Sequence, residues 1–462
     1  MHASVTNTDT FRQNTSHTIA GLLAVLLVLP APAYAEETAL PSHGGGWLVG
    51  SLADLQLPDP PADAGGELDE VKALVAGRSA ADVESIRWWN AGGPAYRWNQ
   101  LAVDHMLDEF ITTMPATRNL TLLHAAIDDS VAAAWAMKQT VKRVRPAEAD
   151  PAIETAIPAP DGSSYPSDHA AAAAAAVLGH LFPDRASDFA EKAEEAMRSR
   201  ILAAVEYPSD VASGRAIGEK VAALAIARGE ADGSDAKWTG SVPQGPGRWL
   251  GEDPIAPLAG TWKPWVLSSG GEFRPPAPPA FDSEMTKAAL AELKDFERTP
   301  ASNHRAIYRE VFGGARGYSL WNEIARTKLL EYGAAFDAPA SARVLAALNV
   351  AYQDATIACF DAKYAYWYIR PSQLDPELET VFPPPNHPSY PAAHACVSTA
   401  AAAVLAAFFP RDSERLLALA EEASEARIWA GIHYRFDIEA GQAIGTKVAG
   451  RVLERASAGR EE

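Results

Sequence analysis

The sequence predicts an all-α protein made of two tandemly duplicated helical bundles, and three observations support this prediction. Alanine is abundant and alternating β-branched runs are scarce, which favours helix over strand. Apolar periodicity from Asn119 to Val144 and from Ser341 to Ile369 indicates two long helices. Each should end near an Arg-Pro pair, because proline disfavours helix at the residue before it.

The third observation is an internal repeat of polar residues at an almost constant offset. Three pairs are 225 positions apart (363 − 138) and two are 227 apart (427 − 200): Lys138 and Lys363, Arg145 and Arg370, His169 and His394, then Arg200 and Arg427, Asp210 and Asp437. A repeat of this length indicates two homologous bundles and not a solenoid of short units.

Composition divides the chain into five segments. These are a signal peptide over 1–35, a Gly/Pro-rich arm over 36–66, a first bundle over 67–230, a connector rich in Pro, Gly and Trp over 231–283, and a second bundle over 284–462. The many aromatic residues of the connector are unusual for a disordered linker, so we expect much of it to pack across the bundles, where it could form one rim of a site. An ordered strap without ligand contact is the simpler alternative.

The amino-terminal region has the pattern of a secretory signal. An apolar run over 19–29 is followed by Ala33-Tyr34-Ala35, a small-x-small cleavage pattern, so we expect a secreted or periplasmic protein cleaved near Ala35. An uncleaved anchor is the alternative. Later apolar stretches are too short to predict stable membrane insertion.

The balance of charge excludes one class of partner. A formal net charge of −19 argues against nucleic-acid binding, which needs clustered Lys and Arg to neutralise phosphates. An anion site in this acidic chain must therefore be a local positive pocket.

Such a pocket is predicted between Lys363 and Asp437. Lys363 precedes Arg370-Pro371 by seven positions, Pro391-Ala392-Ala393-His394 follows, and Arg427, His433 and Asp437 form an Arg-x5-His-x3-Asp pattern. The surrounding segment is apolar, so these charges need a common compensation, which an oxyanion would supply. The helix that starts after the Pro-x-x-His motif would add free N–H groups and its dipole.

This three-part pattern resembles the signature of the type 2 phosphatidic acid phosphatase and vanadium haloperoxidase superfamily, and the chain looks most like its bacterial vanadium haloperoxidases. The resemblance implies that Lys363, Arg370, Ala393 and Arg427 bind vanadate or phosphate. It also implies His433 as vanadium ligand or nucleophile, Asp437 as the acceptor of its other N–H, and His394 as general acid and base. One departure is Ala392, where the family usually has serine.

The first repeat should carry a degenerate site, because Glu206 stands where His433 stands. A carboxylate cannot replace imidazole as a vanadium ligand, and its charge would repel an anion. We expect the cations to form a salt-bridge cluster with Glu206 and Asp210, with a regulatory anion site as the alternative. The residues of this first site are Lys138, Arg145, Ser167, His169, Arg200, Glu206 and Asp210.

The resemblance leaves three functions open. The first is a vanadium-dependent haloperoxidase that uses vanadate as cofactor and oxidises halide with hydrogen peroxide to hypohalous acid, which halogenates an organic acceptor. The second is an acid phosphatase that hydrolyses a soluble phosphate ester through a phosphohistidine and needs no cofactor. The third is a non-catalytic oxyanion-binding protein. A homo-oligomer is compatible with each.

Two cysteines, Cys359 and Cys396, lie close in sequence to Lys363 and His394. If those two residues converge on one anion, the sulfurs could approach each other and form a disulfide in an oxidising compartment. Two buried free thiols are an equal alternative.

The signal pattern makes a direct prediction. Protein recovered from a secreting host should begin at or near Glu36, because the small-x-small site ends at Ala35. Intact-mass spectrometry measures this, and soluble exported protein that retains Met1 would contradict it.

Overall fold

The computed structural model describes residues 46–51, 55, 65–334 and 337–457, all within the unit Leu40–Glu462. Helices dominate the described chain and no β-strand occurs in it, which confirms the predicted all-α fold. The predicted signal peptide and most of the predicted arm lie outside the described residues. No described helix is long and apolar enough to cross a bilayer.

The first half contains α1 (Gly65–Ala76), α2 (Ala80–Asn90), α3 (Gly93–Asp108), α4 (Thr113–Thr140), α5 (Pro146–Ala149), α6 (Ala171–Leu181), α7 (Ala186–Leu202) and α8 (Pro208–Glu230). The second half contains α9 (Glu284–Asp295), α10 (Pro300–Glu310), α11 (Gly317–Glu331), α12 (Ala338–Tyr366), α13 (Pro371–Leu374), α14 (Ala393–Phe408), α15 (Ser413–Trp429) and α16 (Arg435–Ser457). Short 3-10 helices cover Pro183–Arg185, Ala259–Thr261 and Pro410–Asp412, and a π-helix covers Val311–Ala315.

The two long helices predicted from apolar periodicity are α4 and α12, and they pack against each other in the main hydrophobic core. Both begin a few residues earlier than predicted and end before the Arg-Pro pairs. Trp367 ends α12 because it takes a left-handed conformation, with φ of 51°. Arg145 and Arg370 are extended, with ψ of 154° and 153°, as the steric effect of the following proline requires.

Each long helix holds an irregular segment through one buried carboxylate. Asp129 of α4 accepts the backbone N–H groups of Trp47, Leu48 and Val49 at 2.7–2.8 Å. In the second half, Asp354 of α12 accepts those of three consecutive connector residues, Trp265 to Leu267, at 2.8–3.3 Å. The two aspartates are 225 positions apart (354 − 129), so the repeated sequence makes the same kind of attachment twice.

The halves also meet through a buried amide network. Asn99 Nδ2 lies 2.7 Å from both His124 Nε2 and Asn322 Oδ1, and the side chains of Asn322 and Asn349 bond each other at 2.9–3.0 Å. Burial lowers the pKa of His124 to about 3, so the ring is neutral.

Tandem duplication itself stays a prediction, as do the segment boundaries.

The connector is ordered and lies along the second half. Trp249 N–H donates to Trp367 O at 2.7 Å, and the guanidinium of Arg274 forms two hydrogen bonds with Asp361 at 2.7 and 2.9 Å.

A disulfide joins Cys359 of α12 to Cys396 of α14, with the two Cα atoms 6.3 Å apart. The disulfide alternative of the sequence analysis is therefore the one present.

The carboxylate attachment can be tested by stability. Asp354→Ala should lower the free energy of unfolding by about 2–4 kcal/mol, because it leaves buried N–H groups unpaired and removes hydrogen bonds to a charge. Asp361→Ala on the same helix is the matched control and should cost less than about 1 kcal/mol, because the side chain of its partner Arg274 is 43 % exposed. Urea unfolding followed by circular dichroism measures both, and equal losses would contradict the assignment.

Candidate active site

Five helices bring the residues of the second-repeat pattern together. Lys363 lies in the last turn of α12, Arg370 precedes α13, His394 is in the first turn of α14, Arg427 is in the last turn of α15, and Asp437 is in the first turn of α16. His433 precedes α16. All six side chains are buried, each less than 10 % exposed.

Asp437 fixes the tautomer of His433. His433 Nδ1 donates to Asp437 Oδ2 at 2.8 Å, and the same oxygen accepts Ser389 Oγ–H at 2.6 Å. Burial, then Arg370 and Lys363, lower the pKa of His433 well below its usual value, so the ring is neutral. Nε2 therefore keeps its lone pair, which faces Arg370 Nη1 at 2.9 Å.

Burial raises the pKa of Asp437 to about 6, although Ser389 and Lys363 oppose that shift. Above this pH the carboxylate is ionised and accepts the proton of His433 Nδ1. Lys363 and Arg370 favour the ionised form of Asp437. An ionised carboxylate that accepts the Nδ1–H of His433 keeps the other ring nitrogen basic.

Arg370 and Lys363 are held by backbone carbonyls. Arg370 donates to His387 O, Ile432 O and His387 Nδ1 at 2.9–3.0 Å in addition to His433. Lys363 Nζ donates to Pro388 O, Ser389 O and Pro391 O at 2.5–2.9 Å. Burial lowers the pKa of Arg370 to about 10, and burial with Arg370 lowers that of Lys363.

Arg427 connects His394 to an acidic residue that the sequence analysis did not identify. Its Nη2 donates to Glu310 Oε2 at 2.5 Å, and its Nη1 lies 2.9 Å from His394 Nε2. The same His394 nitrogen lies 3.1 Å from Arg309 O. This nitrogen therefore has a donor for its deprotonated state and an acceptor for its protonated state, which suits a group that gives and takes a proton.

These residues fit a tetrahedral oxyanion. Three cations face two carboxylates, Asp437 and Glu310, so the cluster retains positive charge for an anion. Arg427 Nε is buried and has no hydrogen-bond partner among the described residues. It therefore offers an anion an unused donor, while the lone pair of His433 Nε2, which accepts from Arg370 Nη1 at 2.9 Å, offers a ligand atom once that contact is exchanged.

The first site repeats the backbone contacts of the second. Lys138 Nζ donates to Ser163 O and Ser164 O at 3.0 and 3.2 Å, as Lys363 does to Pro388 O and Ser389 O. Arg145 Nη1 donates to Val205 O at 2.8 Å, as Arg370 does to Ile432 O. The two sites therefore differ mainly in the side chains where the anion would lie.

The acidic groups of the first site are not the predicted pair. Asp210 pairs with Arg143 at 2.5 Å and accepts Tyr207 N–H, and no ion pair joins it to Lys138, Arg145 or Arg200 among the described residues. Glu206 lies 3.8 Å from Arg200 Nε, and burial raises its pKa.

Asp168 is the second acid of this pocket. Burial would raise its pKa, but Lys138, Arg200 and Arg145 together lower it, so this carboxylate is ionised among the cations. Ser167 Oγ accepts His169 N–H at 3.4 Å, and burial with Arg200 lowers the pKa of His169 to about 3. Asp168 stands 225 positions before Ala393 (393 − 168), at the helix start where the second site has no charge.

Comparisons with known proteins agree with this geometry. Residues 344–457 match the model of the PAP2 superfamily, and the match contains every residue of the second-repeat pattern from Lys363 to Asp437. The predicted resemblance to the PAP2 and vanadium haloperoxidase superfamily is thereby confirmed. The chain matches no curated protein.

Solved structures share the fold over most of the chain. A bacterial vanadium-dependent iodoperoxidase aligns with a TM-score of 0.60 at 22% identity, covering 78% of this chain and 96% of its own. A bacterial vanadium-dependent chloroperoxidase in its holo form aligns with a TM-score of 0.53 at 14% identity, covering 75% and 93%. Its apo form gives the same score and identity, covering 75% and 94%.

The missing serine gives a test of the anion position. Ala392 is fully buried at the N-cap of α14, and its N–H donates to Asp437 O at 2.9 Å. Ala392→Ser should tighten vanadate by up to roughly tenfold, equivalent to about 1.4 kcal/mol, by adding a hydroxyl beside the anion. Vanadate titration of the apo protein measures this.

The same hydroxyl can cap the helix, which would raise stability by about 1 kcal/mol without any anion. Thermal unfolding in anion-free buffer separates that effect from binding. His433→Ala is the control and should bind vanadate weakly. Unchanged affinity in Ala392→Ser together with normal binding by His433→Ala would place the anion elsewhere.

Proposed function

We propose that the protein is a vanadium-dependent haloperoxidase that oxidises halide with hydrogen peroxide to hypohalous acid. The observation that carries the proposal is the neutral His433, whose Nδ1 is bound to Asp437 and whose Nε2 lone pair lies within a cationic cluster. The likeness to bacterial iodoperoxidase and chloroperoxidase structures, which spans both halves of the chain, supports it.

In this proposal His433 Nε2 would hold the vanadate, and Lys363, Arg370 and Arg427 would neutralise its oxygens. Bound vanadate supplies a Lewis acid that makes peroxide reactive towards halide. Asp437 keeps the proton on Nδ1 and so keeps Nε2 basic. His394 Nε2 would take a proton from the incoming peroxide, since it can exchange its Arg427 contact for its Arg309 contact.

A phosphatase is the second candidate, and one observation favours it. The PAP2 match covers residues 344–457 alone, and this segment contains every residue of the second-repeat pattern. His433 Nε2 would then attack phosphorus, and His394 would protonate the leaving oxygen. Export through the predicted signal peptide remains part of either proposal.

The two repeats should differ in their contribution to turnover. His433→Ala should abolish halide oxidation, because it removes the proposed ligand atom. Glu206→Gln should leave it nearly unchanged, because Glu206 lies in the other pocket and pairs with Arg200. Triiodide formation from iodide, peroxide and orthovanadate measures both, alongside phosphomonoester hydrolysis without vanadate.

Hydrolysis without halide oxidation would favour the phosphatase, and neither activity would favour an oxyanion-binding protein. Comparable loss in both variants, with folding preserved, would contradict the assignment of the active site to the second repeat.

A further inference from the structure

A cavity of about 450 Å³ lies beside the proposed active site. Most of its lining residues do not belong to the second-repeat pattern, so the proposed function does not assign it a role. His394, His387 and Ala393 form the wall on the side of the cationic cluster. His387 and His394 each lie within hydrogen-bond distance of one of its arginines, Arg370 and Arg427. The cavity therefore ends where hypohalous acid would be made under the proposed function.

The other walls come from distant parts of the chain. Tyr352, Thr356 and Phe360 recur at intervals of four residues on α12 and so form one face of that helix. Residues 112–114 of the first half and Ile255 of the connector also contribute to the lining. The connector thus reaches the cavity through Ile255.

The π-helix Val311–Ala315 brings backbone against the catalytic imidazole. A Cβ atom at Gly313 would lie 2.9 Å from His394 Cδ2, and one at Gly314 would lie 2.6 Å from His394 Cε1. Both distances are shorter than real contacts, so glycine is required at each position for this close approach. Thr113 Oγ1 donates to Gly314 O and attaches the segment to the first half.

One buried hydroxyl in this cavity lacks a hydrogen-bond partner within the part of the chain that the structure describes. Tyr352 is 2% exposed, and its hydroxyl has no hydrogen bond among the described residues. A buried hydroxyl without a partner costs about 1–3 kcal/mol, which a ligand oxygen would recover. Among the described lining residues none is Lys or Arg, and Glu310 contributes a carboxylate, so the ligand should not be an anion.

From these features we infer that the cavity binds the organic acceptor, a neutral aromatic compound with a hydroxyl or carbonyl group that bonds Tyr352. The apolar walls suit a ring, and the volume lies in the range of about 300–1,000 Å³ found for small-molecule sites. The inference rests on the proposed function. According to this inference, the acceptor is halogenated while it is bound in the cavity. It is not halogenated in solution by hypohalous acid that has left the protein.

The reaction in the cavity is electrophilic substitution. A ring carbon gives an electron pair to the halogen of hypohalous acid, the halogen–oxygen bond breaks, and a carbon–halogen bond forms. The ring then loses its proton to the hydroxide released, which becomes water. The halogen is the oxidant, and the ring is oxidised by two electrons.

The first experiment measures binding of 2-naphthol to the purified full chain by calorimetry, without halide or peroxide. Wild-type protein should bind it, and Tyr352→Phe should weaken binding about three- to tenfold, the size of one neutral hydrogen bond. Val397→Phe, which fills the cavity from α14, should remove binding. Tyr332→Phe is the matched control, because its hydroxyl bonds Asp412 outside the cavity, and it should leave binding unchanged.

The second experiment measures selectivity. The protein iodinates a mixture of 2-naphthol and phenol red, a bulkier phenol, and the product ratio is compared with that from reagent hypoiodous acid. Wild type should favour the naphthol several-fold more than the free reagent does, and Tyr352→Phe should move the ratio towards that of the reagent.

Three results would overturn the inference. They are absence of naphthol binding, equal binding by wild type, Tyr352→Phe and Val397→Phe, and a wild-type product ratio equal to that of the reagent. Naphthol binding that responds to the variants in a protein without halide oxidation would overturn the haloperoxidase proposal and the acceptor role, while leaving the cavity as a ligand site. The two failures are therefore distinguishable.

Discussion

Burial of three cations in an apolar helical core is the constraint on which the second half depends. Lys363, Arg370 and Arg427 are each fully buried, and removing such charges from water costs several kcal/mol per ion. The chain offsets this cost with backbone carbonyls and two carboxylates. The carbonyls come from segments that end at proline or turn before a helix, where they have no helical partner.

The first half faces the same constraint and resolves it differently. Its lysine and arginine use equivalent carbonyls, but the space for an anion contains the carboxylates of Asp168 and Glu206. Asp168, which the cations hold in its ionised form, supplies the negative charge that a bound oxyanion would supply in the second half. The two pockets thus share their backbone contacts but differ in the source of negative charge. In the first pocket it is a carboxylate side chain, and in the second it would be a bound anion.

Several features of the site could be predicted from sequence because they follow from short-range rules. His394 lies at a helix start and Asp437 one turn beyond His433, as spacing predicts. Ser389, which bonds Asp437, could have been found from the repeat, because Ser164 stands 225 positions earlier (389 − 164). Asp168 was equally visible, as the residue next to His169, but only the structure places its charge among the cations.

Other features depend on contacts that no local pattern encodes. Glu310 is the last residue of an ordinary amphipathic helix, α10, and its pairing with Arg427 arises from the packing of α10 on α15. The start and end of α4 and α12 differed from the periodicity because apolar spacing marks the buried face of a helix and not its termini. The attachment of two irregular segments to Asp129 and Asp354 likewise needed tertiary structure.

The first half contributes to the cavity beside His394 even though carboxylate side chains occupy its own cationic pocket. Residues 112–114 form one wall of the large cavity, and Thr113 is bonded to the π-helix that lies against His394. The amide network of Asn99, Asn322 and Asn349 fixes α3 against α11 and α12. Loss of the first bundle would therefore open the cavity beside His394 and release the π-helix, even though no residue of the second cationic cluster would be removed.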